Sequence, residues 1–229
     1  EITEKRKNKM AKTSKKSIVI LLICMLVAAI GLTGCGGNEN GGDAEMIKIG
    51  IMQFGEFEAL QNANKGFQDG LAELGYVEGD NVTFNYLSAA ADTANCPTIA
   101  DTLINDGSDL ILAIATPSAS AIKEKTSDIP VLFTAVTDPA GSGLVADNEA
   151  PGGNLTGTSD MNPVEQQIAL GKQLIPDAKK VAIMYCSSES NSKIQSDLAE
   201  AAIKSAGMEA VVKTISAIDE AKSAVESLK

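Results

Sequence analysis

The sequence has no histidine and no tryptophan, and its only arginine is Arg6. Each gap removes chemistry. Without His there is no serine triad, no imidazole proton transfer, and most zinc sites are out of reach. Without Arg beyond Arg6 there is no bidentate guanidinium clamp for a carboxylate or phosphate. An anion must then be met by Lys, by hydroxyls, or by backbone N–H groups at helix starts. The Gly-rich stretches at 140–143 and 151–157 lack the Gly-Lys-Ser/Thr ending of a phosphate loop and read as turns. Cysteine is sparse: Cys24, Cys35, Cys96 and Cys186. The last two fall in different predicted lobes, so free thiols are expected rather than a disulfide. No cofactor or metal site is expected.

An apolar run at 18–32 follows Lys12, Lys15 and Lys16 and ends in Leu32-Thr33-Gly34-Cys35. That is the order of an export signal: basic, apolar, then a small-residue cleavage site. The cysteine at the cut makes it resemble a bacterial lipoprotein signal, which implies that Cys35 is lipidated and starts the mature protein. Each buried acyl methylene contributes about 0.8 kcal/mol, so two or more chains hold a soluble domain on a membrane. The alternative, an uncleaved membrane helix, is short against the roughly 20 residues of a span. Residues 36–43, GGNENGGD, carry no apolar side chain and read as tether. The expected organisation is a non-native extension at 1–9, a signal at 10–34 and a flexible tether at 35–45.

Removing residues 1–34 takes seven of the 19 basic residues and two of the 30 acidic ones, which leaves 12 against 28 and a net charge of −16. Such a surface excludes nucleic acid as a partner. It also repels anionic lipid, so an anchor rather than the protein face must hold the membrane.

From Met46 onward, apolar runs alternate with amphipathic stretches. Strands are predicted at 47–52, 81–86, 109–115 and 130–135, and helices at 58–74, 94–105 and 117–125. This βαβαβαβ order predicts an α/β fold, a parallel sheet with helices on both faces. A Gly- and Pro-rich stretch, 138–160, reads as an irregular crossing. A second series follows: helix 163–174, strand 180–185, helix 190–206, strand 209–214 and helix 217–228. The expectation is two lobes, 46–159 with the crossover and 160–229 as part of the second. Two strands leave an open apolar edge, so the second lobe is expected to be truncated at Lys229.

Ligands bind beyond the carboxyl ends of parallel strands. The candidate residues are therefore those that follow each strand: Gln53, Phe54 and Glu56; Thr116, Pro117, Ser118 and Ala119; Thr137 and Asp138; Ser187, Ser188, Glu189, Asn191 and Ser192. The second group suits an anion, because hydroxyls meet free N–H groups where a helix starts. Thr116 and Ser118 equally suit plain helix capping. Glu56, Asp138 and Glu189 suit an ammonium group or a solvated loop. No catalytic residue is identified.

The blocks KGFQDGLAELGYVEGDNVTFNY (65–86), DLILAIATPSA (109–119), IPVLFTAVTDP (129–139), GLV (143–145), PGGNLTGTSD (151–160) and LIPDAKKVAIMYCSSESNS (174–192) together resemble the ABC-transporter substrate-binding proteins whose described members take tryptophan or tyrosine. The resemblance covers 47–229. It implies a two-lobed fold of the type I periplasmic-binding-protein kind with the ligand closed between lobes, a membrane permease as partner, an extracytoplasmic location and no enzyme activity. Relatives often carry Glu-His-Pro-Ala-Leu after the first strand. Here the segment is Glu56-Phe57-Glu58-Ala59-Leu60, so the wall supplied by His and Pro is changed. The leading expectation is capture of a small amino-acid-like ligand for import. The alternative is a lipid-anchored sensor of the same fold that signals to a membrane partner. An exported enzyme is disfavoured by the missing His and nucleophile motif.

Overall fold

The computed structural model describes residues 46–228. The extension, the signal, Cys35 and the tether lie outside them.

The first series of apolar runs forms one parallel sheet. Its strands are β1 (Ile47–Gln53), β2 (Val82–Ser88), β3 (Leu110–Ile114), β4 (Val131–Val136) and β5 (Leu155–Ser159), in the order β2-β1-β3-β4-β5. Helices α1 (Glu58–Glu73), α2 (Cys96–Asn105) and α3 (Thr116–Lys125) make the crossovers. Strand β3 reads LILAI because it is covered on both faces, as a central parallel strand must be. On one face Leu60, Ala63, Phe67 and Leu71 of α1 pack over Ile49, Ile51, Leu112 and Ile114. On the other, Ala100 and Leu103 of α2 and Ala119 and Ile122 of α3 pack over Met52, Ile111, Ala113 and Phe133. Each buried Ile, Leu or Phe contributes about 1.5–3 kcal/mol. Leu103 is wholly buried, so truncating it to Ala would cost about 2–5 kcal/mol.

Strand β5 departs from the expected irregular crossing. Its sequence, LTGTS, has one apolar residue and a glycine, so neither alternation nor propensity marks it. Pairing with β4 makes it a strand, and Gly157 permits the approach: a Cβ there would collide with the Phe133 carbonyl. The register shifts between Phe133 and Val136, with Ala135 at a φ of 55°.

The second series gives β6 (Lys180–Cys186) and β7 (Glu209–Ile215), a parallel two-stranded sheet. Helix α4 (Val164–Leu174) packs on α5 (Ser190–Ser205), and α5 packs on both strands. The expected last helix is a 3-10 turn, Ile218–Glu220, followed by α6 (Ala221–Glu226). No residue of β6 is fully buried. Cys96 and Cys186 are free, as expected. Among the described residues no helix is long and apolar enough to cross a membrane, and no cluster of His, Cys, Asp and Glu suits a metal ion.

Candidate functional site

Parallel strands end together, so the loops after them share one edge. Gln53 is in register with Ile114, and Ile114 with Thr134. The loops interlock through backbone bonds: Phe54 N–H donates to the Ile114 carbonyl at 3.2 Å, and Ala115 N–H to that of Thr134 at 3.0 Å. This edge collects Gln53, Phe54, Glu56, the start of α3, and Thr137 with Asp138.

The start of α3 is unusual. Its N-cap is Ala115, at φ 81° and ψ 155°, and no side chain caps it. Only glycine adopts that region readily, and strain there is typical of functional sites. Thr116 is 2% exposed and Ser118 is 0% exposed, and neither hydroxyl oxygen has a hydrogen-bond partner. The capping role that Thr116 and Ser118 equally suited is therefore absent, because Ala115 takes the cap position. Ala119 N–H donates to the Ala115 carbonyl at 3.1 Å, and Pro117 has no N–H. The amides of Thr116 and Ser118 thus stand uncapped beside two buried hydroxyls at the positive end of the helix dipole. An unpaired buried hydroxyl costs about 1–3 kcal/mol. Each of these groups is a donor without an acceptor, and an acceptor carrying negative charge is the kind of group such a helix start favours.

The other candidates divide. Gln53 is fully buried; its Nε2 donates to the Gly55 carbonyl at 2.8 Å and its Oε1 has no partner. Phe54 is buried beside it. Glu56 is exposed, and its carboxylate already accepts from Tyr86 at 2.7 Å and Gln61 at 3.0 Å. Those bonds, Tyr86 first, hold its pKa below the usual carboxylate value. Burial, reinforced by Glu56, pushes the Tyr86 hydroxyl up to about 12. Asp138 is half-buried and accepts from Gly141 N–H at 2.9 Å, in a turn where a Cβ on Gly141 would strike that carboxylate.

In the second lobe, the Ser187 hydroxyl donates to the Ile215 carbonyl at 3.2 Å. Ser188 is exposed and pairs with the Cys186 thiol at 3.1 Å. Glu189 is the N-cap residue of α5 without a side-chain cap bond, and Asn191 Oδ1 is buried with no partner. Ser192 lines a hollow of about 440 Å³ between α4, α5 and β6. A second hollow of about 440 Å³ lies between α4 and α5. Both are gaps between second-lobe elements, and Thr116 and Ser118 line neither.

The sequence profile described as "ABC transporter substrate binding protein" matches residues 48–229. The chain belongs to that family. Its fold is of the type I periplasmic-binding-protein kind. The tyrosine-binding protein of Clostridioides difficile (strain R20291) is 40% identical over 222 residues, 93% of this chain and 64% of the relative. An ABC domain of Streptococcus pneumoniae in complex with L-Trp is 39% identical with a TM-score of 0.76, over 80% of this chain and 62% of that one. The ligand-free, open structure of a substrate-binding protein with adhesive properties from Clostridium difficile has the same identity and coverages but a TM-score of 0.58. The chain thus spans 62–64% of the length of these relatives.

The two lobes touch. Helix α3 packs against α5. Gln195 of α5 donates to the Thr137 hydroxyl at 3.4 Å and accepts from Asn162 at 3.1 Å. Thr137 is 5% exposed, and its hydroxyl is thus engaged by the other lobe. Sequence reasoning missed Gln195, Asn162, Ala115 and Ser142, whose buried hydroxyl also has no partner. Ala115 is the residue between an apolar strand and a Pro-containing helix start, a junction that invites inspection. Nothing in the sequence marks the others.

Proposed function

We propose that this family member is the extracytoplasmic solute-binding lipoprotein of an ABC importer, holding a small amino acid between its two lobes and passing it to a membrane permease. An aromatic amino acid is the first choice, because the relatives are a tyrosine-binding protein and an L-Trp complex at 39–40% identity. The carrying observation is the uncapped start of α3 with its two buried, unpartnered hydroxyls. A ligand carboxylate supplies the acceptor they lack. In a chain with no Arg beyond Arg6, helix dipole and hydroxyls replace a guanidinium clamp. The orphaned Gln53 and Asn191 oxygens and the Asp138 carboxylate are the groups available to the ammonium. Lipidation at Cys35 keeps the binder beside its permease.

Calorimetric titration with L-tyrosine, L-tryptophan and their amides tests this reading. The amino acids bind, and each amide binds at least tenfold more weakly. Equal affinity for acid and amide removes the carboxylate site, and no binding of either amino acid removes the aromatic assignment.

A further inference from the structure

We infer that Gln195 is a positioning residue for ligand capture: it sets the balance between closed and open lobes without touching the ligand. Gln195 belongs to α5 of the second lobe. Its Nε2 donates to Thr137 Oγ1, at the carboxyl end of β4 in the first lobe, at 3.4 Å. Its Oε1 accepts from Asn162 Nδ2 at 3.1 Å. Asn162 lies in the segment that links the lobes, so the amide is held from the linker with its donor toward Thr137. Thr137 is itself anchored there, since its carbonyl accepts from Ser159 Oγ at 2.7 Å.

Three segments that must move relative to one another when lobes part, namely the β4 end, the linker and α5, therefore meet at one side chain. A second observation bears on the two arrangements. At equal identity and equal coverage, this chain superposes with a TM-score of 0.76 on the L-Trp complex and 0.58 on the ligand-free open structure. The arrangement in which Gln195 reaches Thr137 is the one nearer the ligand-bound relative.

A ligand shifts a two-state equilibrium only by its differential affinity for the two states, and a closed state that is populated only in part weakens apparent affinity by that fraction. A bond made only on closure raises that fraction. This inference rests on the two-lobed capture reading, and one arm of its test uses no ligand. Spin labels are placed at Ser127 and Lys204, one exposed position on each lobe, after replacing Cys96 and Cys186 with Ala and Ser. Gln195→Ala and Thr137→Val each shift the distance distribution toward longer separations. The double variant shifts it no further than either single one. Gln195→Glu restores the short population, because a carboxylate accepts from both the Thr137 hydroxyl and the Asn162 amide.

The second arm follows L-tyrosine and L-tryptophan. Gln195→Ala weakens both by the same factor, about two- to tenfold as expected for one neutral hydrogen bond, with the change in dissociation rate. An unchanged distance distribution, additive effects of the two substitutions, or a changed preference between the ligands overturns the inference. If neither amino acid binds the unsubstituted protein, the ligand assignment fails while the ligand-free arm still decides the role of Gln195.

Discussion

Replacing Thr116 by Val separates a ligand contact from a helix cap by the sign of its effect. The two side chains share shape and β-branching, so the helix start and its rotamers are preserved and only the hydroxyl is lost. A capping residue replaced by an apolar one costs about 0.5–2 kcal/mol. Thr116 Oγ1 is buried without a partner, and the cap position belongs to Ala115. Removing an unpaired hydroxyl recovers part of the roughly 1–3 kcal/mol spent on desolvating it. The ligand-free protein is therefore as stable as before or more so, and each 1 kcal/mol gained raises the melting temperature by about 2–4 °C in a domain of this size. Affinity moves the opposite way. A hydrogen bond to a charged group is worth about 1.5–3 kcal/mol, which is roughly ten- to a hundredfold in Kd. Urea unfolding without ligand gives the first quantity and calorimetry with L-tryptophan and its amide gives the second. A lowered urea midpoint together with unchanged affinity would refute the orphan-hydroxyl argument.

Ala115→Gly relieves a backbone at φ 81° and ψ 155° that strains any L-residue by about 1–3 kcal/mol, more than the roughly 0.5–1 kcal/mol entropic cost of glycine, so the urea midpoint rises; a fall contradicts the assigned strain. Tyr86 titrates near 12 because burial and Glu56 favour its neutral form, so the stabilisation is complete below pH 10 and is lost as pH rises from 10 toward 12. In a near-ultraviolet titration Glu56→Gln brings this group part of the way down, and an unchanged midpoint would show that burial alone raises it. Hydrogen exchange is slower in β1 and β3 than in β6 and β7, since four of the five β3 residues are buried and none of β6 is; equal protection would contradict the difference in packing. Cys35→Ala releases the protein from the membrane fraction or leaves the signal uncleaved, and membrane attachment with a cleaved signal would exclude lipidation at Cys35.

The amino-acid sequence by itself determines most of the architecture. Runs such as LILAI are continuous because a central parallel strand is covered twice, and Gly75, Gly107 and Gly207, all at positive φ, end helices where periodicity stops. The absence of His, and of Arg beyond Arg6, already narrowed the means of holding an anion to hydroxyls, Lys and helix starts. These are local or periodic properties, so one dimension carries them. Tertiary structure decided the rest. LTGTS becomes β5 only because β4 offers an edge and Gly157 leaves room for the Phe133 carbonyl. Thr116 and Ser118 look like caps in sequence, and only burial without partners separates them from caps. Glu56 accepts from Tyr86, a partner thirty positions away in the chain that no local pattern announces. Gln195 reads as a solvated helix residue until the lobes meet, because the atom that gives it a role, Thr137 Oγ1, lies 58 residues away and is brought within reach by folding alone.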